Sequence, residues 1–116
     1  MKIVDRQTFL TLSEGTVYSD YEPCIFGPLA IKGVTIGRDF YVQEIADAIG
    51  CASSEEFSDI LIAAQADGRS VPMDFDCEGR DGIFDDSQLY AVWEPHDVKR
   101  LIARLIACEE PPRKGE

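Results

Sequence analysis

The stretch Asp74-Phe75-Asp76-Cys77-Glu78-Gly79-Arg80-Asp81-Gly82-Ile83-Phe84-Asp85-Asp86 holds six acidic residues against one arginine. Large apolar residues interleave with the acids, which sets it apart from a disordered acidic tail. From Val71 to Trp93 the pattern has period two: Met73, Phe75 and Cys77 alternate with Asp74, Asp76 and Glu78. Arg80-Asp81-Gly82 contains a hairpin-type Asp-Gly turn, and Gln88-Leu89-Tyr90-Ala91-Val92-Trp93 reads as the returning strand. The expectation is a hairpin with one buried face, carrying Met73, Phe75 and Cys77, and one acidic face.

Working outward, Asp5 offers an N-cap to a short helix that ends before Gly15. Thr16–Tyr21 is β-branched and aromatic and reads as a strand. Leu29–Lys32 and Val34–Ile36 read as two strands, or as one strand bent at Gly33. Asp39–Ile49 combines a strand signal in Phe40-Tyr41-Val42 with helical spacing of Val42, Ile45, Ala46 and Ile49, which predicts a strand end leading into a short helix. Ser53 and Ser54 can cap a helix whose stripe is Phe57, Ile60, Leu61 and Ala64, stopped at Asp67-Gly68. Pro95 suits the first position of a last helix, with Val98, Leu101, Ile102 and Leu105 as its buried stripe. Strands and helices do not alternate as a doubly wound fold requires. The reading is a small single α+β domain, an antiparallel sheet with helices packed on one face. It covers residues 1–110, with 111–116 a frayed C-terminal tail.

The totals agree with one globular domain: 116 residues, 45% hydrophobic and 28% charged. The charge is uneven, at −3 over residues 1–49, −9 over 50–94 and +1 over 95–116, for a net of −11. A field of that sign repels nucleic acid and anionic membranes and attracts basic surfaces, although solubility alone also favours acidic proteins. Cys24, Cys51, Cys77 and Cys108 form no C-x-x-C pair and lack zinc-site spacing; Cys24 and Cys77 read as small buried hydrophobes. Met1–Asp5 shows no apolar signal region and no run approaches membrane-spanning length, so the expected setting is cytoplasmic, in a bacterial host cell, with reduced thiols.

Asp74, Asp76, Glu78, Gly79 and Asp85 fall at positions 1, 3, 5, 6 and 12 of a calcium loop. However, Asp81 occupies the apolar position, Asp85 replaces the longer Glu, and Gly68 and Pro72 interrupt the entering helix, so no metal is assigned. The one histidine, His96, sits beside Pro95 and Asp97 and reads as a surface or cap residue. No nucleophile elbow, zinc-protease, P-loop or dinucleotide motif occurs, so no catalytic residue and no cofactor is assigned.

Electrostatic recognition is what the acids support. On one strand face, Asp74, Asp76 and Glu78 would recur every ~6.8 Å, broadly like phosphates that rise about 3.4 Å each along a winding DNA strand. Asp81, Asp85 and Asp86 would extend the ridge, with Phe84, Tyr90 and Trp93 as candidate apolar anchors where exposed. The competing reading is a solvated outer strand whose acids discourage aggregation. A second acidic cluster, Glu55, Glu56 and Asp59, reads first as helix N-terminal stabilisation.

A small acidic domain with such a segment and no catalytic motif resembles the accessory proteins of phages and mobile elements, anti-CRISPR proteins among them. The resemblance implies stoichiometric binding to the basic nucleic-acid-binding surface of a protein complex, a CRISPR effector or nuclease, in some cases by DNA mimicry. The acidic field argues against direct nucleic-acid binding and membrane association, a homodimer stays open, and the resemblance carries over no site residue. A phage or bacterial adaptor or assembly protein is the alternative; a small calcium-binding or carboxylate-based enzyme ranks third.

Overall fold

A computed structural model describes residues 1–109; the expected fraying of residues 111–116 lies outside the described residues. The chain runs β1 (Lys2–Asp5), α1 (Arg6–Leu10), β2 (Val17–Glu22), β3 (Ile25–Phe26), β4 (Ala30–Ile36), β5 (Asp39–Glu44), α2 (Ser54–Asp67), β6 (Glu78–Arg80), β7 (Leu89–Val92) and α3 (Pro95–Glu109). All seven strands join one antiparallel sheet in the order β1-β7-β2-β4-β5-β6, with β3 also paired to β2. The α+β reading therefore holds.

The core forms where α1 lies on the middle strands. Asp5 accepts from Thr8 N at 2.8 Å and starts the helix, which sets Phe9 over the sheet. Phe9 meets Tyr90 of β7, Tyr18 of β2 and Phe40 of β5 at ring-centroid distances of 4.0, 4.6 and 5.0 Å. Burying each ring stabilises the fold by roughly 1.5–3 kcal/mol, and the stacked and tilted geometry adds about 0.5–1.5 kcal/mol per pair.

In β4 the register shifts between Lys32 and Thr35, so of the two readings the single strand bent at Gly33 holds, as one bulged strand. The bulge turns Lys32 inward, where Nζ donates to Leu12 O (2.9 Å), Gly33 O (3.1 Å) and Thr35 Oγ1 (2.7 Å). Burial lowers the Lys32 pKa, while Glu14 opposes that shift.

The expected hairpin does not form. β6 pairs with β5, whereas β7 lies between β1 and β2, so residues 81–88 form a connection between separated strands. Burial explains the arrangement. β7 is covered on both faces, with Tyr90 at 1% and Ala91 at 0% exposure, as suits a strand inside the sheet. Every residue of β6 is exposed, as suits an edge. Gly82 does adopt the left-handed conformation (φ 66°) expected of its turn chemistry, but that turn does not return the chain to β6.

The alternation of residues 73–77 is not a strand face either. Met73 (43% exposed), Phe75 (58%) and Cys77 face solvent. Asp74 Oδ1 accepts from Asp76 N at 2.9 Å, a local turn that takes the place of a ladder. The short helix expected after β5 is also absent. So short a helix offsets little of its nucleation cost; Ala48 O instead accepts from Asp74 N (2.9 Å), and Ile49 bridges Met73.

The two longer helices begin as their caps predict, and α2 ends so. Ser53 Oγ accepts from Glu56 N, Gly68 closes α2 at φ 73°, and Asp97 accepts from Glu94 N at the start of α3. Their stripes are another matter. Neither α2 nor α3 contains a buried residue; Leu61, Ile102 and Leu105 are exposed, and Phe57, Ile60, Ala64, Val98 and Leu101 are half-buried. Among the described residues, α1 is the helix whose side chains enter the core. Cys24 and Cys77, expected as buried hydrophobes, are exposed free thiols like Cys51 and Cys108.

Candidate acidic cavity

The sheet face that carries Tyr18 also carries a cavity of about 320 Å³. Register explains it. Tyr18 of β2, Ala30 of β4 and Glu44 of β5 stand opposite one another across three neighbouring strands. The methyl group of Ala30 is too small to fill the row, which leaves a hollow between a phenol and a carboxylate. Asp20 lies two residues beyond Tyr18 on the same face. Asp47 enters from the loop after β5, and Asp81 and Ile83 from the segment after β6. Pro28, Leu29 and Val42 give the hollow an apolar side.

The segment over this hollow is held by charges. Asp39, 1% exposed, accepts from Arg80 Nε at 2.8 Å and Gly82 N at 3.0 Å. Burial pushes the Asp39 carboxyl up, but the bonds from Gly82, Arg80 and Phe40 outweigh it and hold the pKa below its usual value. Arg6, 3% exposed, donates to Tyr90 Oη (2.8 Å), Arg38 O (2.8 Å) and Asp81 Oδ2 (3.3 Å), with Asp39 Oδ1 4.0 Å away. Asp81 N in turn donates to Phe40 O at 3.0 Å. Tyr90 is pushed up to about 12 by burial, against the pull of Arg6.

Asp20, Glu44 and Asp47 differ from these clamped groups, for no cation or side-chain donor meets their carboxylates among the described residues. Burial and the nearby Asp81 charge raise the Asp20 pKa. The Tyr18 pKa is raised far above its ordinary value, first by burial and then by Asp20 and Asp81, with smaller contributions from Tyr90 and Glu44.

The predicted site residues are dispersed. Glu78 and Asp81 reach the cavity wall, although Glu78 Oε2 lies 3.2 Å from where a Cβ on Gly33 would sit, on the side of Tyr41. Asp81 is held by Arg6 and is no part of an open ridge. Asp74 and Asp76 form their own turn, Asp85 accepts from Ser87 N (2.9 Å) and Oγ (2.6 Å), and exposed Asp86 lies 3.4 Å from Arg38. Phe84 is 49% exposed at φ 55° and remains available as an anchor, whereas Tyr90 is core and is removed from the anchors. Trp93 is half-buried. Glu55, Glu56 and Asp59 lie in the first turns of α2, exposed, where Glu56 Oε2 also accepts from Ala52 N at 3.2 Å.

The sequence reading missed Asp20, Glu44 and Asp47. Its one usable signal was the spacing Tyr18-x-Asp20 and Val42-x-Glu44, which puts an acid on the same strand face as a core residue. Among the described residues, no group of three or more His, Cys, Asp or Glu is arranged to hold a metal ion. His96 is exposed and lies 3.3 Å from Asp97. Among those residues, too, no helix is long and apolar enough to cross a membrane. No family model, curated protein sequence or solved structure matches the chain.

Proposed function

We propose that this chain is a non-enzymatic acidic binding protein that inhibits a nucleic-acid-handling complex, in the manner of anti-CRISPR proteins, by occupying a basic surface in the bacterial cytoplasm. The observation that supports this most is the juxtaposition at the cavity. The unpaired carboxylates of Asp20, Glu44 and Asp47 share one hollow with Ile83, 71% exposed, and the half-exposed Phe84 follows it in the chain. Apolar anchors beside open charge are the makings of a protein interface, because charge steers association while the anchors supply affinity. The acids at Asp74, Asp76 and Glu78 add long-range field but not the ordered ridge of a strand.

Capture from a bacterial lysate on the immobilised chain tests the reading. The expected result is a basic, nucleic-acid-handling complex that elutes with salt and is lost when Asp74, Asp76 and Glu78 are together changed to Lys. Capture of no basic complex, or of one that salt does not elute, would count against it.

An assembly or adaptor role is the second reading, favoured by the apolar face of α3, where Ile102, Leu105 and Ile106 are 51%, 59% and 61% exposed. Contacts made there would be insensitive to salt, and that difference separates the two readings.

A further inference from the structure

We infer that the cavity is a receptor for one arginine side chain presented by the protein partner, with Asp20, Glu44 and Asp47 taking the guanidinium and the Tyr18 hydroxyl completing its set of acceptors. This inference deepens the proposed function and rests on it.

Acids alone would not carry it, since an acidic surface is expected of a chain with net charge −11. Tyr18 is the independent observation. The residue is 3% exposed and its ring is packed against Phe9 and Tyr90, yet among the described residues its hydroxyl makes no hydrogen bond. Among the described residues the Ser19 hydroxyl is the one fully sealed side-chain polar atom without a partner, so the Tyr18 hydroxyl is not sealed, and Tyr18 lines the cavity. A hydroxyl on so buried a residue that meets no protein group takes its hydrogen-bond partner from whatever occupies the cavity. Tyr18 shares the lining of this hollow with Asp20, Glu44, Asp47 and Asp81, which fits a site whose donor arrives with a ligand.

The chemistry of the hollow selects the ligand. It offers acceptors from several directions, and its nearest cation, Arg80, is engaged with Asp39 at 2.8 Å. An anion is therefore excluded by charge. A metal ion is disfavoured because the carboxylates do not converge as ligands. A guanidinium brings five donors in a fixed plane and no acceptor, which matches three carboxylates and a phenolic oxygen. The apolar side, with Leu29 and Val42, suits an aliphatic stem better than bare water. A volume of about 320 Å³ admits one such side chain and lies at the small end of ligand pockets.

The test uses the full chain at low salt, with Nα-acetyl-arginine methylamide as the probe, its citrulline analogue as the uncharged isostere, and spermidine as a free polyamine. Backbone amide shifts report where each binds. The inference predicts saturable shifts centred on Tyr18, Asp20, Ala30 and Glu44 with the arginine probe and none with citrulline. Binding should weaken about tenfold or more in Asp20→Asn/Glu44→Gln and stay unchanged in Glu109→Gln, an exposed acid at the end of α3. Tyr18→Phe should weaken it a few-fold, and Ala30→Leu, which fills the floor, should abolish it; amide spectra establish that each variant is folded.

Equal shifts from citrulline, shifts spread over all exposed acids, or tighter cavity binding by spermidine than by the arginine probe would each overturn the inference. Failure of the wider reading looks different. A captured basic partner retained by Asp20→Asn/Glu44→Gln but lost with the 74/76/78 triple change leaves the function standing and removes the receptor. Probe binding at the cavity without any basic partner in the capture does the reverse.

Discussion

Replacing Arg6 with Met should destabilise the protein by about 4 kcal/mol. The guanidinium is 3% exposed and joins α1 to three other parts of the chain: Tyr90 in β7, the Arg38 carbonyl before β5, and Asp81. Methionine keeps most of the aliphatic stem and removes every donor. Losing one partner of a buried ion pair costs about 3–5 kcal/mol. The Tyr90 hydroxyl and the Arg38 carbonyl, left without a donor, would each cost ~1–3 kcal/mol if isolated. These terms overlap in one network and do not add. A domain of this size holds about 5–15 kcal/mol in all, so the variant should still fold, with Tm lowered by roughly 15 °C. Urea unfolding followed by tryptophan fluorescence and circular dichroism gives the value, with an unchanged m as the check on two-state behaviour. Arg6→Lys keeps the charge but not the fork and should lose about half as much. Coupling to Asp81→Asn in a double-mutant cycle should exceed ~1 kcal/mol. A loss below ~0.5 kcal/mol for Arg6→Met, or additive behaviour with Asp81→Asn, would refute the clamp.

Three further outcomes are expected. Gly33→Ala should destabilise by about 1–3 kcal/mol, because its Cβ would meet Tyr41 Cβ at 2.8 Å and Tyr41 O at 3.2 Å; chemical denaturation measures it. Phe9→Ala should cost about 3–5 kcal/mol, whereas Leu105→Ala, at 59% exposure, should stay within about 0.5 kcal/mol in dilute solution. For pH, two carboxyls act with opposite sign. The Asp39 pKa is depressed, so its stabilisation is present above 3.8 and is lost as pH falls through the lower folded value. The Asp20 pKa is raised, so the folded state takes up the proton first and stability grows as pH falls from the raised value towards 3.8. Asp20→Asn should therefore remove a gain on mild acidification, and Asp39→Asn should flatten the loss at lower pH, both read from Tm against pH.

What could be read in the sequence was local. Asp5, Ser53, Gly68 and Pro95 announced helix ends through chemistry that acts within a few residues, and β2 and β4 announced themselves through β-branched and aromatic runs. The hairpin failed because its evidence was local too. An Asp-Gly turn and an alternating run are compatible with β6 and β7 being neighbours. β7 lies in the middle because it pairs with β1 on one edge and β2 on the other, both far earlier in the chain. Amphipathic spacing in α2 and α3 predicted burial that the sheet does not supply, since periodicity says which face is apolar and nothing about what covers it. The clamp of Arg6, Asp39, Arg80 and Asp81 joins residues up to 75 positions apart, beyond any spacing rule. The cavity depends on an alanine opposite a tyrosine and a glutamate, a coincidence of register that only pairing reveals.

The central claim is that the acidic surface is a docking surface for a basic partner. Capture from a bacterial lysate by the full chain, eluted with a salt gradient and competed with duplex DNA, addresses it most directly. The account predicts a basic nucleic-acid-handling complex that leaves the column as salt rises and that DNA displaces. A captured partner that withstands both salt and DNA would contradict it.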